Sequence, residues 1–313
     1  MAGSKRAIER FAWEKLAEYM LPHFLEASGD VFWVDSGVTT PGNGTFYSPY
    51  STVAAAVSAA TASNGDVIVC KPGHAETITA AGGVTLSKAG LNLVGLGRGR
   101  QRPTFTFTTA TTATLLVSAA DCLIKNIVCT SVLANLGAFV NATANGLIME
   151  DCELYHTTNA GALSFINLTT TYDNFTIRRC KFSNAVDPDG THAAASTGCI
   201  YVVDSENITI EDCTMIGNFE TAIVHNKTTK CQNLIIKNCY MDCVLADCVP
   251  LILEADATGA MINSFARVPA ATDIAVANIV GTIGNHFWLA RTTCFGNDSG
   301  GGQLAAFGDA EAS

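Results

Sequence analysis

A chain of 313 residues that is 48% hydrophobic, 15% charged and slightly positive in mean hydropathy (+0.26) has ample core and too little charge for a disordered protein, and makes one long domain or two. Its net charge of −10, with no Lys/Arg cluster beyond Arg98, Arg100 and Arg102, excludes the basic footprint of a nucleic-acid-binding protein. No apolar run reaches the roughly 18 residues needed to cross a bilayer, and Glu9, Glu14 and Glu18 interrupt what would be the apolar stretch of a signal peptide, so neither membrane insertion nor secretion is expected.

Residues 4–27 place Ile8, Phe11, Ala12, Leu16, Tyr19 and Met20 at helical spacing, with Lys5, Arg6, Glu9, Glu14 and Lys15 on the other faces. This segment, bounded as 1–30, predicts an amphipathic helix. Residues 31–76 read as a short strand (VFWVDSG), a Gly/Pro-rich loop, a short helix near 51–62, a turn at Asn64-Gly65-Asp66 and a second strand. GLGRGRQR (95–102) has glycines but no helix behind them, so it reads as a turn closing the first coil rather than a phosphate cradle; its arginines offer a docking point for an acidic partner.

From here the chain repeats one phrase: GLIMEDCELYHT (146–157), NFTIRRCKFSNA (174–185), NITIEDCTMIGN (207–218) and NLIIKNCYMDCV (233–244). Aligned on Cys152, Cys180, Cys213 and Cys239, the frame extends upstream to Ile127 and downstream to Phe265, in steps of 25, 28, 33, 26 and 26 residues. A second apolar run precedes each phrase: TLLV (114–117), AFV (138–140), ALSFI (162–166), CIYVV (199–203), TAIVH (221–225) and PLILE (250–254). Two or three short strands per period are too few for a propeller blade, and no helix is present for a leucine-rich repeat. The pattern predicts an all-β, right-handed parallel β-helix over 31–285, in which like residues stack about 4.8 Å apart.

In that coil the cysteines are filling: a free cysteine is a small hydrophobe that packs well in a core, and twelve of them without a secretory signal argue for reduced thiols. Gly146, Asn174, Asn207, Asn233 and Gly259, which open the phrases, suit a turn in the left-handed conformation. Residues 286–313 drop the repeat, carry Phe287, Trp288 and Phe295, and end in a Gly/Ala-rich tail expected either to cap the second end or to reach a neighbour.

The order WVDSG, SPYSTVAAAVSAA, GDVIVCKPGHAETI, GLNLVGLGRG resembles the entry to the pectate-lyase-like superfamily of right-handed β-helices, in which a short helix plugs the open end before the first strand. The resemblance covers roughly residues 31–285 and speaks to fold more than activity, because the superfamily holds lyases, hydrolases, esterases, phage tailspikes and inert rods. On GHAETITAAGGVTLSKAGLNLVGLGRGRQRPTFTFTT (73–109) the chain is also similar to β-helical proteins of tailed-bacteriophage virions. That likeness implies a virion protein made in a bacterial cytoplasm, a homotrimer with itself as partner, and contacts to capsid or other virion proteins.

Enzymes of the superfamily, as the resemblance implies, use clustered outward carboxylates on neighbouring coils, with Ca²⁺ and a basic residue in the lyases. Here the two positions before the ladder cysteine read Glu150-Asp151, Arg178-Arg179, Glu211-Asp212 and Lys237-Asn238, alternating in sign, which reads as a solvated or weakly paired stripe. The longest step contains SNAVDPDGTHAAASTG (183–198), where Asp187, Asp189 and His192 make a candidate glycan or ion loop, without the full calcium-loop pattern. Cys239, Cys243 and Cys248 have no zinc-finger spacing, Asn297–Gly301 has only the look of a protease motif, and the Thr-rich run 104–114 is not repeated as an ice-binding face would be.

The expectation is therefore a non-enzymatic structural protein of a bacteriophage virion, a head-decoration or fibre-type β-helix, with no cofactor and no metal. Phe11, Trp13, Leu16, Tyr19, Phe24, Phe287 and Trp288 are its candidate assembly contacts. The alternative is a tailspike-like protein that binds or depolymerises a surface polysaccharide, favoured if Asp187, Asp189, Asp204, Glu206 and Asp212 converge. A carbohydrate-binding module would use Tyr155, Tyr172 and Tyr201 as stacking platforms.

Overall fold

The structure is a computed structural model and describes residues 29–156, 161–169, 171–184, 196–226, 229–243, 248–254, 257–268, 286–296, 303–307 and 310–312. Short strands follow one another around a right-handed coil and stack into three sheets, parallel but for one antiparallel strand at the end of sheets 1 and 3. Among the described residues sheet 1 has eleven strands, sheet 2 seven and sheet 3 ten. The chain visits them in the order 1, 3, 2, as in Ile148–Glu150, Glu153–His156 and Ala162–Leu168, and seven such three-strand coils are complete.

The register explains the repeated phrase. In sheet 1 one inward column is Ile124, Met149, Ile177, Ile210, Ile236, Met261 and Leu289, each paired with the next and each buried. Alternation with period two sends these side chains inward and their neighbours outward, so every coil needs an apolar-x-apolar strand of the same phase. Each fully buried aliphatic side chain contributes about 1.5–3 kcal/mol relative to exposure, repeated coil after coil. Phe107, Phe139, Phe165 and Phe219 add an aromatic run through the interior, with successive ring centroids 5.1, 5.3 and 6.2 Å apart.

From the third coil on, the chain turns a short corner between sheets 1 and 3 whose first residue is left-handed: Asn126, Asp151, Arg179, Asp212, Asn238, Asn263 and Arg291 have φ between 47° and 55°. The corner keeps its hydrogen bonding, because Asn126, Asp151, Arg179, Asp212, Asn238 and Asn263 each donate their N–H to a carbonyl of the following coil at 2.9–3.2 Å. The second corner residue forms the ladder. Cys152, Cys180, Cys213 and Cys239 point inward and donate to the carbonyls of Ile124, Met149, Ile177 and Ile210 at 3.5–3.7 Å. All eleven cysteines with described side chains are buried and free. Burial pushes the thiols of Cys129, Cys180 and Cys199 well above their ordinary value, which makes them inert filling.

Two register expectations need correction. Tyr240, not Cys239, pairs with Phe265, so Ser264 holds the ladder position and Thr292 follows it, the Thr292 hydroxyl donating to the Met261 carbonyl at 3.1 Å. A strand's step is fixed by backbone pairing, and Ser and Thr are small enough to stand where cysteine stood. Among the phrase openers, Gly146, Asn174, Asn207 and Asn233 are left-handed (φ 77°, 62°, 57° and 55°), but Gly259 lies one place further on, opposite Leu234. Thr258 takes the opener's place, its hydroxyl accepting from the Asn233 N–H at 2.9 Å.

The first mouth of the coil is closed as expected. Helix α1 (Val53–Ala59) buries Val53, Ala56 and Val57, and the Thr52 hydroxyl caps it by accepting from Ala55 N–H at 3.3 Å. Glu76 accepts from Val53 N–H at 3.0 Å while its other contact is His74 Nε2 at 3.2 Å, and His74 Nδ1 accepts from Ser36 N–H at 3.0 Å. The buried imidazole thereby ties the entry loop, the first coil and the helix start together. At the other end two antiparallel strands finish the sheets, Gln303–Phe307 on Thr292–Gly296 and Ala310–Ala312 on His286–Ala290.

Candidate functional site

The outer face of sheet 1 and its corner with sheet 3 hold the charges that any surface chemistry would use. Register brings Lys125, Glu150, Arg178, Glu211 and Lys237 into one column, alternating in sign. Lys125 Nζ lies 2.9 Å from Glu150 Oε2, Arg179 Nη2 3.0 Å from the same oxygen, and Arg178 closes on Oε1. Arg179 Nε also meets Asp151 Oδ1 at 2.8 Å, and Lys237 Nζ meets Glu211 Oε1 at 2.5 Å. The stripe is thus ion-paired in two groups, one around Glu150 and one between Glu211 and Lys237, and Glu150 is only 4% exposed. Burial works against the charge of Glu150, but hydrogen bonds from Lys125 and Arg178 and their positive charges hold its carboxyl below the ordinary value. The hydrogen bond from Arg179 does the same for Asp151. A carboxylate so surrounded is held as an anion and makes a poor proton acceptor.

Arg102 is part of the same framework rather than a docking point. Its guanidinium donates to Glu153 at 3.0 Å and to the carbonyls of Ile127 and Asp151 at 2.9 and 2.6 Å. One arginine spans two coils, a partnership that its place in a Gly/Arg turn gave no sign of.

Two of the concavities among the described residues take in candidate residues or an exposed aromatic side chain. Asp173, Asp204 and Glu206 share a cavity of about 240 Å³ with Thr171, Lys230 and Gln232, and Asp173 Oδ1 accepts from Glu206 N–H at 2.8 Å. Of the five carboxylates whose convergence would favour the glycan-active alternative, Asp204 and Glu206 come together. Asp212 does not: it sits at the sheet 1–sheet 3 corner, bonded to the Asn238 amide at 3.0 Å. The second cavity, about 420 Å³, is lined by Asn238, Tyr240, Asn263, Phe265, Arg291 and Thr293. Tyr240 and Phe265 stack face to face there, 5.1 Å between centroids and 3° from parallel, so each ring occupies a face of the other. Among the described residues no group of His, Cys, Asp and Glu is arranged to hold a metal ion.

The other candidate residues sort by burial. Asp187, Asp189 and His192, and Phe11, Trp13, Leu16, Tyr19 and Phe24, lie outside the described residues. Phe287 is fully buried and belongs to the core, because pairing with Gly259 turns it inward; it is withdrawn as an assembly contact. Trp288 beside it faces out and is 48% exposed. Of the proposed stacking tyrosines, Tyr201 is only 8% exposed and Tyr172 packs on the core, which leaves neither a platform, while Tyr155 is partly exposed. Sequence reasoning missed Tyr240, whose exposure depends on the outward phase of its strand.

Comparisons with known proteins agree with this architecture. Residues 111–263 match the family described as "Right handed beta helix region". Among solved structures, a rhamnogalacturonan lyase superposes with a TM-score of 0.56 at 13% identity, covering 88% of this chain and 78% of the lyase. The pectate lyase Pel9A gives 0.55 at 16% identity, with 85% of this chain and 63% of that one covered. A pectin methylesterase from Aspergillus niger gives 0.56 at 16% identity, covering 84% and 85%. No curated protein matches the sequence. At such identities the likeness establishes a shared fold, one found in enzymes, and the chemistry has to be argued from the residues.

Proposed function

We propose that the protein is a non-enzymatic structural component of a bacteriophage virion, a head-decoration or fibre-type β-helix attached through its terminal segments. The observation that carries the non-enzymatic reading is the outer stripe: its most buried carboxylate, Glu150, is committed to Lys125, Arg178 and Arg179, so the charges bind coil to coil instead of facing a substrate. Such a body is stiff, because each coil is hydrogen-bonded to both neighbours through three sheets. The placement in a virion rests on the likeness of residues 73–109 to β-helical virion proteins. Self-association as a trimer, contacts to capsid proteins through residues 4–27 and Trp288, and residence in the particle belong to the same proposal.

The test is peptide mass spectrometry of purified particles of the source phage, with heads and tails separated before digestion. Stoichiometric recovery with heads is expected; absence from particles overturns the proposal. Recovery with tails favours the second reading, a protein that binds or depolymerises a polysaccharide. That reading is supported by the shared cavity of Asp173, Asp204 and Glu206 and by a fold shared with two lyases and an esterase. Its own check is release of unsaturated or reducing ends from a uronate polysaccharide by the wild type and not by the D204N/E206Q variant.

A further inference from the structure

The CYMDCVLADC segment (239–248) contains a contact that neither the ladder nor the outer stripe uses. Cys239 behaves as a ladder cysteine and donates to a backbone carbonyl, but Cys243 and Cys248 face each other with their sulfurs 2.7 Å apart. Both are fully buried. The position of the pair gives it mechanical meaning. Cys243 ends the strand Tyr240–Cys243, which is held between neighbours on both sides in sheet 3. Cys248 immediately precedes Val249–Ile252, the terminal strand of sheet 2, which among the described residues is paired on one side only, to Phe219–Asn226. An edge strand of this kind is where a solenoid frays and where it invites unwanted pairing.

We propose that Cys243 and Cys248 form a redox-sensitive dithiol that closes to a disulfide in an oxidising environment and pins the terminal strand of sheet 2 to the body. The oxidant is a small-molecule disulfide such as oxidised glutathione. The thiolate of one cysteine attacks it, forming a mixed disulfide and releasing one glutathione thiolate. The thiolate of the other then attacks the protein sulfur of that mixed disulfide, forms the Cys243–Cys248 bond and releases the second glutathione. Two protein thiols are oxidised, one disulfide is reduced to two thiols, and the two protons lost by the cysteines end on the glutathiones. Burial of both sulfurs makes the reaction slow in the closed coil, so it proceeds during folding or a local opening of the edge. Thiols made in a reducing cytosol would thus become a staple once the protein leaves it. The inference does not depend on a virion location.

The full-length protein, refolded from urea either in dithiothreitol or in a mixture of reduced and oxidised glutathione, tests this with access to both sulfurs assured. After alkylation of free thiols, an Asp-specific protease cuts between the two cysteines at Asp247. The expected result in the glutathione buffer is a covalently joined pair of peptides carrying Cys243 and Cys248, separated by dithiothreitol, together with severalfold slower amide exchange over 249–252. Recovery of the two peptides separately alkylated, pairing of either cysteine with a third, or a joined pair with unchanged exchange overturns the proposal. The C243S/C248S variant is expected to exchange in both buffers as the reduced wild type does, and slowing in the oxidising buffer alone would count against the staple.

Discussion

Replacing Glu150 by Gln tests whether the outer stripe is a structural tie. The substitution keeps the volume and removes the charge that faces Lys125, Arg178 and Arg179. Removing one member of a buried ion pair costs about 3–5 kcal/mol when the partner stays buried. Here the stranded cations are 32%, 42% and 43% exposed and recover water, so the expected loss is smaller, about 2 kcal/mol. The loss also has a pH signature. The folded-state carboxyl of Glu150 is depressed, so the stability it contributes is complete above the unfolded glutamate value and disappears as pH falls through the folded value. Wild type and variant should therefore differ fully near neutrality, and the difference should shrink as pH falls below about 4.3. Urea unfolding followed by far-ultraviolet circular dichroism, at neutral and acid pH, reads both quantities. A variant within about 0.5 kcal/mol of wild type at neutral pH would refute the reasoning and return the stripe to the status of solvated surface charge.

Other substitutions probe the remaining layers. Phe165→Ala, which empties the middle of the interior aromatic run, should cost about 3–5 kcal/mol in the same unfolding assay, and a loss below about 1 kcal/mol would mean the coil collapses into the space. Arg291→Gly, at a left-handed corner (φ 50°) on an exposed residue, should stabilise by several tenths to about 1 kcal/mol because glycine adopts that conformation without a Cβ clash; destabilisation would point to an unrecognised role of the side chain. Cys213→Ser should cost no more than about 1.5 kcal/mol, since Ser264 and Thr292 already fill equivalent ladder places with hydroxyls that donate to carbonyls. A much larger loss would show that the ladder depends on the sulfur's size rather than on its donor.

The comparison with polysaccharide-active neighbours sharpens one point about the outer face. A coil surface offers the same outward positions whether it carries chemistry or not. On this chain the acidic residues of the stripe alternate with basic ones in the same column, and three of the four pairings, Lys125 with Glu150, Arg178 with Glu150 and Lys237 with Glu211, carry an ion pair. Asp173, Asp204 and Glu206 stand apart from that stripe, in a cavity shared with Lys230.

The sequence by itself determined the fold class, the inward cysteine ladder, the plugging helix and the left-handed phrase openers at Gly146, Asn174, Asn207 and Asn233. These are local consequences of a period-two strand and a repeated turn, so each copy of the phrase states them again. It also contained, unread, the Asn/Asp-rich column before the ladder that marks the second set of left-handed corners. Only the tertiary structure decided what depends on stacking. The pairing of one coil on the next put Ser264 rather than Phe265 in the ladder, turned Phe287 inward and Trp288 outward, buried Glu150 among three cations and brought Cys243 against Cys248. Those outcomes turn on a one-residue difference in register or on the reach of a side chain across coils, and neither is visible along a single strand.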